Sequence, residues 1–397
     1  MRGLGGWPAA AATRVERSTL DAFKAAIDFA LRERVDGVFL AGDLYDRRDR
    51  SLRARLHLQR QLERLGAAGI PSYLVHGNHD PLTADDAAVP LPPLTTVFGA
   101  GWSEVDSPGG RFRVQGISYV KSDVDDNLAQ RFHRTSAAPS IGLLHTNVAG
   151  SEGHLNYAPC TVADLARAGL DYWALGHVHT RQTFQAGAGL AAYPGNLQGR
   201  HVRETGPRGG LLVELDDALR VRAEVRFVPF DLARWHVLRV DVSAVESIDD
   251  ALASVLLAAA GAVDDAPQIH TNLFRIVLAG ASPLHRELAR RETQQTLEDR
   301  LAERFAPRDW LLESLQVETG LKSDLPSLLA AGGLVADVAH FLEAPVSQAD
   351  LDGLWAAAGL EALDDQLAAA RLDSLERRSI FQAAVTAALG HLLEEPS

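Results

Sequence analysis

"VDGVFLAGDLYD" (residues 35–46) places an apolar run directly before a glycine and an aspartate, with a second aspartate three positions after the first. A short apolar run that stops at glycine reads as a buried strand, Val35–Ala41. An aspartate at the carboxyl end of such a strand stands where layered α/β folds gather their ligands. Alone, Asp43 would be an ordinary turn residue. Its meaning depends on what the other strand ends supply.

Around this stretch the first two hundred residues alternate between helical and strand patterns. Ser18 and Asp21 form a capping-box pair, and Leu20, Phe23, Ile27 and Leu31 follow at helical spacing over residues 18–34. A second amphipathic helix runs through Leu52, Leu56, Leu58, Leu62 and Leu65 and stops near Gly66 and Gly69. Strands are expected at 70–75, 111–120, 140–145 and 171–177, and an antiparallel hairpin at 209–230 that turns at Asp216–Asp217. This is the pattern of an α/β layered domain over residues 1–230. Beyond residue 231, strands at 234–243 and 272–280 flank a helix, and a charged helix spans 282–305. From Ser347, with its "SQAD" capping signal, nearly everything reads as helix. Residues 231–397 are therefore expected to form a smaller α/β domain with a helical tail. The opening "MRGLGGWPAAAATRVER" (1–17) reads as loop. A parallel sheet would place a strand ahead of the first helix, so a segment upstream of Met1 is expected.

Composition narrows the class. The chain has 397 residues, 46% hydrophobic and 23% charged, with a formal net charge of −13. No apolar run reaches the roughly 20 residues of a membrane span, and the N-terminus carries no signal-peptide pattern. The lone cysteine, Cys160, excludes an intramolecular disulfide framework and fits a reducing cytoplasm. A strongly acidic protein does not grip nucleic acid over its whole surface. Any such contact would be local, through "RRDRSLRAR" (47–55) or "GRHVRETGPR" (199–208), and a solvated arginine-rich surface explains both equally well.

Five of the fourteen histidines fall in three strand-end clusters: "VHGNHD" (75–80), "LLHTN" (143–147) and "LGHVH" (175–179). With "GDLYD" they make Asp43, Asn78, His79, His145, His177 and His179 candidate strand-end ligands. Any one of these motifs is weak; all four in order, each after an apolar run, is a specific signal.

GD-x-x-D, GNHD, a strand-end histidine and GH-x-H together resemble the signature of calcineurin-like metallophosphoesterases. Within that superfamily the chain is similar to the SbcD-type DNA-repair nuclease subunits and to their YhaO-like branch. The stretches "YPGNLQGRHVRETGPRGGLLVEL" (193–215) and "FVPFDLARWHVLRVDVS" (227–243) carry that finer similarity. The resemblance implies a four-layer α/β/β/α sandwich followed by a smaller capping domain. It also implies a site for two divalent metal ions, with Asp43 bridging, Asn78, His145 and His177 on the second ion and His179 on the first. Carboxylate, amide and imidazole donors without thiolate suit Mn²⁺ or a similar hard-to-borderline ion better than a structural zinc, and a hydroxide between two such ions is the expected nucleophile. His79 resembles the family's catalytic histidine, with Asp80 expected to orient it. Asp46 is either a supporting carboxylate or a turn residue, and His76 is expected to be structural.

The chain departs from the family in one respect. The first motif, Asp-x-His, supplies two more ligands to the first ion, and no such pair precedes residue 18. A misassigned start some 10–20 residues downstream of the natural one explains this together with the missing strand. In that case the 397-residue chain has little metal-dependent activity, and restoring upstream codons recovers it. A real loss would leave a half-built site.

Remaining features have plain readings. Trp102, Trp173 and Trp235 are expected in cores or hinges rather than as base-stacking platforms, and the scattered histidines at the surface or satisfied within the fold. Arg200, His201 and Arg203 are candidate phosphate contacts. The C-terminal helices could dock an SMC-like ATPase or simply pack within their domain. A DNA exonuclease subunit is thus the leading expectation, with DNA and an SMC-like ATPase as partners, no membrane, a cytoplasmic location, and oligomeric state, homodimer included, left open. A small-molecule phosphoesterase and a non-catalytic scaffold are the alternatives.

Overall fold

The computed structural model describes residues 9–45, 52–82, 91–148, 157–215, 225–263 and 268–321, with residues 266 and 330. Asp46, the Asp216–Asp217 turn, most of the 47–55 basic run and the helices expected after Ser347 lie outside the described residues.

The chain opens with α1 (Ala9–Glu33), which corrects the expected loop and the expected start at Ser18. Alanine has the highest helix propensity of any residue, so the run at 9–12 extends the helix upstream. Ser18 consequently lies inside the helix, buried, and its hydroxyl donates to the Val15 carbonyl at 2.7 Å instead of capping. Next come β1 (Val38–Ala41), α2 (Leu52–Ala67), β2 (Ser72–Val75) and β3 (Thr95–Val97). Two further strands, β4 (Ser103–Asp106) and β5 (Arg113–Ile117), precede β6 (Ser140–His145), α3 (Val162–Ala168) and β7 (Tyr172–Gly176). A hairpin of β8 (Gln182–Ala186) and β9 (Gly189–Tyr193) follows, then β10 (Gly209–Leu212) and β11 (Arg226–Pro229). The last two strands pair antiparallel, as the hairpin reading requires.

Among the described residues, β1-β2-β3 form one parallel sheet and β4-β5-β6-β7-β9-β8 a second, mixed one. Side-chain alternation turns the two sheets into layers. Val38, Leu40 and Leu74 point at α1 and α2, meeting Ile27, Leu58, Leu62 and Leu65. Phe39, Tyr73 and Val75 point the other way, onto Val114, Ile141 and Leu143 of the second sheet. The outer face of that sheet, through Leu144, Trp173 and Leu175, packs on Leu165 and Ala168 of α3. Helices, sheet, sheet and helix thus stack in that order, the α/β/β/α layering expected for the first domain. α1 packs on β1 and β2, strands that follow it in the chain.

α3 shows why a local sequence stops and starts where it does. Thr161 and Asp164 exchange the reciprocal hydrogen bonds of a capping box, and Gly169 closes the helix at φ 68°. In the first sheet Ala41 is level with Val75, and in the second His145 is level with Gly176. Four carboxyl ends therefore open towards one region.

The chain divides into two compact units, the first comprising residues up to His236 with Asp265–Leu273, the second Val237–Asp264 with the chain from Phe274 onward. The second contains β12 (Ala233–Asp241) beyond its first four residues, α4 (Ile248–Ala262), most of β13 (Thr271–Ser282), α5 (His285–Leu288), α6 (Arg291–Phe305) and β14 (Trp310–Leu321). Strands β12-β13-β14 form its sheet, and Phe274, Phe305 and Trp310 pack together in tilted and edge-on contacts with ring centroids 5.1–5.5 Å apart. The helix expected at 282–305 is two helices, with a break at residues 289–290. No helix of the described residues is long and apolar enough to cross a membrane.

Candidate metal centre

Three strand ends deliver donor atoms to one point. Asp43, after β1, and His177, after β7, both adopt positive φ, 54° and 104°. Non-glycine residues rarely hold that conformation, and where they do the strain often serves a site. His145 ends β6 and is 1% exposed. Ligand atoms of Asp43, His145 and His177 all lie within 4.8 Å of one another. Asn78 completes the group: its Oδ1 is 2.9 Å from His145 Nε2 and 3.2 Å from His177 Nδ1.

The protonation of His145 decides how this group is to be read. Its Nδ1 lies 2.8 Å from the Ala41 carbonyl, which can only accept, so Nδ1 carries the proton. Burial lowers the imidazole pKa and keeps the ring neutral. Nε2 then presents a lone pair to the Asn78 oxygen, and also to Asp43 Oδ2 at 3.4 Å. Acceptors facing acceptors in a buried site repel one another unless a proton or a cation lies among them. One carboxylate, one amide oxygen and two imidazoles are a fitting donor set for a divalent ion.

Close backbone approach makes this convergence possible. A Cβ on Gly77 would stand 2.7 Å from His145 Cε1 and would collide with Asp43 Oδ1; one on Gly176 would collide with the Ala41 carbonyl. Both glycines lie in the motifs "HGNHD" and "LGH", so their presence there reflects packing as much as turn geometry.

Asp80 has a different position from the one expected. Its carboxylate is fully buried and accepts backbone N–H groups from Asp43 (3.0 Å), Leu44 (3.0 Å) and Gly77 (2.7 Å). It therefore ties the β1 and β2 loops together, and its carboxylate is engaged by these backbone donors, not by the His79 ring. Burial, with the Asp43 charge nearby, pushes it up to about 7 against those three donors. His76 is buried with Nδ1 2.7 Å from the Asp80 carbonyl, a structural placement. His79 is exposed, and its backbone N–H donates to Asp43 Oδ1 at 2.9 Å, which fixes the ring's attachment beside the donor group.

His179 lies outside the tight cluster. Its Nδ1 is 2.7 Å from Oε1 of Glu204, a residue outside the strand-end motifs. The available signal was an acidic side chain inside the basic "GRHVRETGPR". Burial raises Glu204, but the His179 and Arg200 hydrogen bonds and charges outweigh it and bring it down to about 2. Arg200, His201 and Arg203 are exposed on the same turn. Tyr119 was also missed. It is 1% exposed, its ring stands edge-on to His145 at 5.3 Å between centroids, and among the described residues its hydroxyl has no hydrogen-bond partner. Burial and the Asp43 charge push that phenol well above its ordinary range.

The tryptophans divide. Trp173 is wholly buried, Trp235 is buried with its indole N–H on the Gly199 carbonyl, and Trp102 is half-buried and stacks on His133. Cys160 is buried and receives the Thr146 hydroxyl at 3.3 Å.

Residues 16–181 match the calcineurin-like phosphoesterase family, and residues 235–320 match the middle domain of metallophosphoesterase YhaO. The chain is 42% identical over 207 residues to the uncharacterized metallophosphoesterase YhaO of Bacillus subtilis, covering 51% of each protein. It is 31% identical over 239 residues to the DNA double-strand break repair protein Mre11 of Sulfurisphaera tokodaii, covering 57% of this chain and 61% of that one. With Mre11 of Archaeoglobus fulgidus it shares 25% identity over 268 residues, 59% of each. The chain thus spans between about half and three-fifths of the length of these relatives.

Proposed function

We propose that this chain, whose residues 16–181 match the calcineurin-like phosphoesterase family and residues 235–320 the YhaO middle domain, is a metal-dependent phosphodiesterase that acts on DNA as an exonuclease subunit in repair. One observation carries the metal dependence: a neutral, buried imidazole whose lone pair faces the oxygens of Asn78 and Asp43. The similarity to Mre11 proteins supports DNA as the substrate class.

In this reading Asp43, Asn78, His145 and His177 would hold one divalent ion, and Asp43 with His179 would contribute to a second, Mn²⁺ by donor chemistry. Bound ions would supply an activated water and neutralise charge on the phosphate. The chain's own residues do the rest. Asp80 keeps the Asp43 and Asn78 loops in register through backbone N–H groups. His79, anchored beside Asp43 and open to solvent, holds the proton for the departing oxygen. Arg200 and Arg203 face the backbone phosphates of a single strand. A cytoplasmic location and an SMC-like ATPase partner belong to the same proposal.

A second reading has one observation in its favour: the net charge of −13 suits a small phosphodiester better than a polyanion. Two measurements decide. Calorimetric titration with Mn²⁺ should show binding that Asp43→Asn removes; binding that survives this change removes the basis for the metal site. Mn²⁺-dependent turnover of single-stranded DNA and of bis-p-nitrophenyl phosphate is then compared, using the 397-residue chain and an in-frame extension carrying an Asp-x-His pair. Faster turnover of DNA supports the nuclease, and turnover of the small diester alone supports the second reading. If His79→Ala leaves turnover unchanged, the assigned proton transfer is wrong.

A further inference from the structure

Outside the four-donor cluster, the best-built polar arrangement in the first unit surrounds His179. Its ring Nδ1 meets Glu204 Oε1 at 2.7 Å, while Glu204 Oε2 accepts the Arg200 backbone N–H at 2.7 Å. The His179 carbonyl is held as well, by an Arg208 guanidinium nitrogen at 2.5 Å and the Asn196 N–H at 3.3 Å. Ring and backbone of one histidine are thus both fastened to the turn at 196–208.

That turn is rigidly framed. Gln198 is 2% exposed; its side-chain oxygen accepts the N–H groups of Leu232 and Ala233, and its amide donates to the carbonyls of Gly199 and Ala233. The Trp235 indole N–H reaches the Gly199 carbonyl at 3.0 Å, and Gly206 N–H the Trp235 carbonyl at 3.3 Å. So many fixed partners are unnecessary for an ordinary surface ion pair, which holds two long side chains at little net gain. They are what a carboxylate needs in order to orient an imidazole. A carboxylate on one ring nitrogen fixes the tautomer and turns the lone pair of the other nitrogen outward, an arrangement common behind metal-bound histidines.

We infer that Glu204 is a positioning residue: it holds His179 as the Nδ1–H tautomer so that Nε2 is presented as a ligand to a divalent cation. The inference rests on the metal-dependent reading of this site and adds a residue to it. It has a structural corollary. The carboxylate that orients His179 also closes the turn bearing Arg200 and Arg203, so ligand geometry and the phosphate-facing arginines depend on one side chain.

The test uses the full chain labelled with ¹⁵N-histidine and stripped of metal, with the His179 signals assigned by their loss in His179→Gln. Long-range ¹H–¹⁵N correlations near pH 8 should show His179 protonated at Nδ1 only. Glu204→Ala should move it to the Nε2–H form and weaken Mn²⁺ binding by about 10- to 100-fold. Glu204→Gln, which retains an oxygen acceptor and a full-length side chain, should restore most of both properties and guards against a simple folding defect. A wild-type His179 that is doubly protonated or Nε2–H, or a tautomer indifferent to Glu204→Ala, overturns the inference. A tautomer that responds as described, in a protein whose Mn²⁺ binding ignores Asp43→Asn, supports the positioning role and refutes the metal reading instead.

Discussion

Asp231 and Asp43 are carboxylates of the same compact unit, and their surroundings are opposite in kind. Asp231 is fully buried, and both of its oxygens receive guanidinium N–H groups of Arg234, itself 3% exposed, at 2.8 and 2.9 Å. Donors meet acceptors and opposite charges cancel. Asp43 Oδ1 accepts the His79 N–H, but its Oδ2 faces the lone pair of a neutral imidazole that also faces the Asn78 oxygen, so on that side acceptors meet acceptors. Natural interiors rarely leave polar groups in that state. The difference separates a polar cluster that the chain completes from one that it leaves for a ligand to complete.

The largest effect should come from breaking the completed cluster. Asp231→Ala leaves the Arg234 guanidinium buried without its carboxylate, a change that costs about 3–5 kcal/mol in comparable buried pairs. Chemical denaturation should register a loss of that size, with Asp231→Asn in between. Were the loss below about 1 kcal/mol, water or another partner would be satisfying Arg234, and the contrast with Asp43 would weaken.

The incomplete cluster should respond in the opposite direction. In metal-free protein, Asp43→Asn removes a negative charge from beside Asp80 and offers an N–H to the opposed acceptors. Relief of one unsatisfied contact should raise stability by about 1 kcal/mol. With Mn²⁺ at a hundred times its dissociation constant, the wild type should gain about 2.7 kcal/mol, and the variant nothing. Thermal melts with and without Mn²⁺ measure both. A destabilised metal-free variant would mean that the chain satisfies Asp43 by itself.

Much of this contrast could be read from residue types alone. The strand-end motifs named Asp43, Asn78, His145 and His177 because apolar runs locate strand ends reliably and parallel strands gather their ends on one side. The helix start was missed because a Ser-x-x-Asp pair looks the same inside a helix as at its cap, and only the hydroxyl's actual partner, the Val15 carbonyl, separates them. Asp80 was misplaced because adjacency in "GNHD" suggested His79, whereas its partners are backbone groups up to 37 positions away, which side-chain spelling does not reveal. Glu204 and Tyr119 were invisible for the same reason. Each matters through a contact with a residue 25 or more positions distant in the chain.

The smallest expected effect sharpens the contrast between buried and exposed arginines. Arg234 is enclosed by its pair, whereas Arg203 lies open on the turn that Glu204 closes, and its backbone N–H, not its guanidinium, makes the local bond to His201 Nδ1. Removing the Arg203 side chain should leave the melting temperature unchanged, because substitutions at exposed positions without fixed partners rarely alter stability. A phosphate contact on single-stranded DNA contributes about 0.7 to the slope of log affinity against log salt. Arg203→Ala should therefore weaken binding of a single strand a few-fold at moderate salt and reduce that slope by about the same 0.7, with turnover of a small diester unaffected. An unchanged slope would return Arg203 to the solvated surface and leave the acidic chain without a basic contact on this turn.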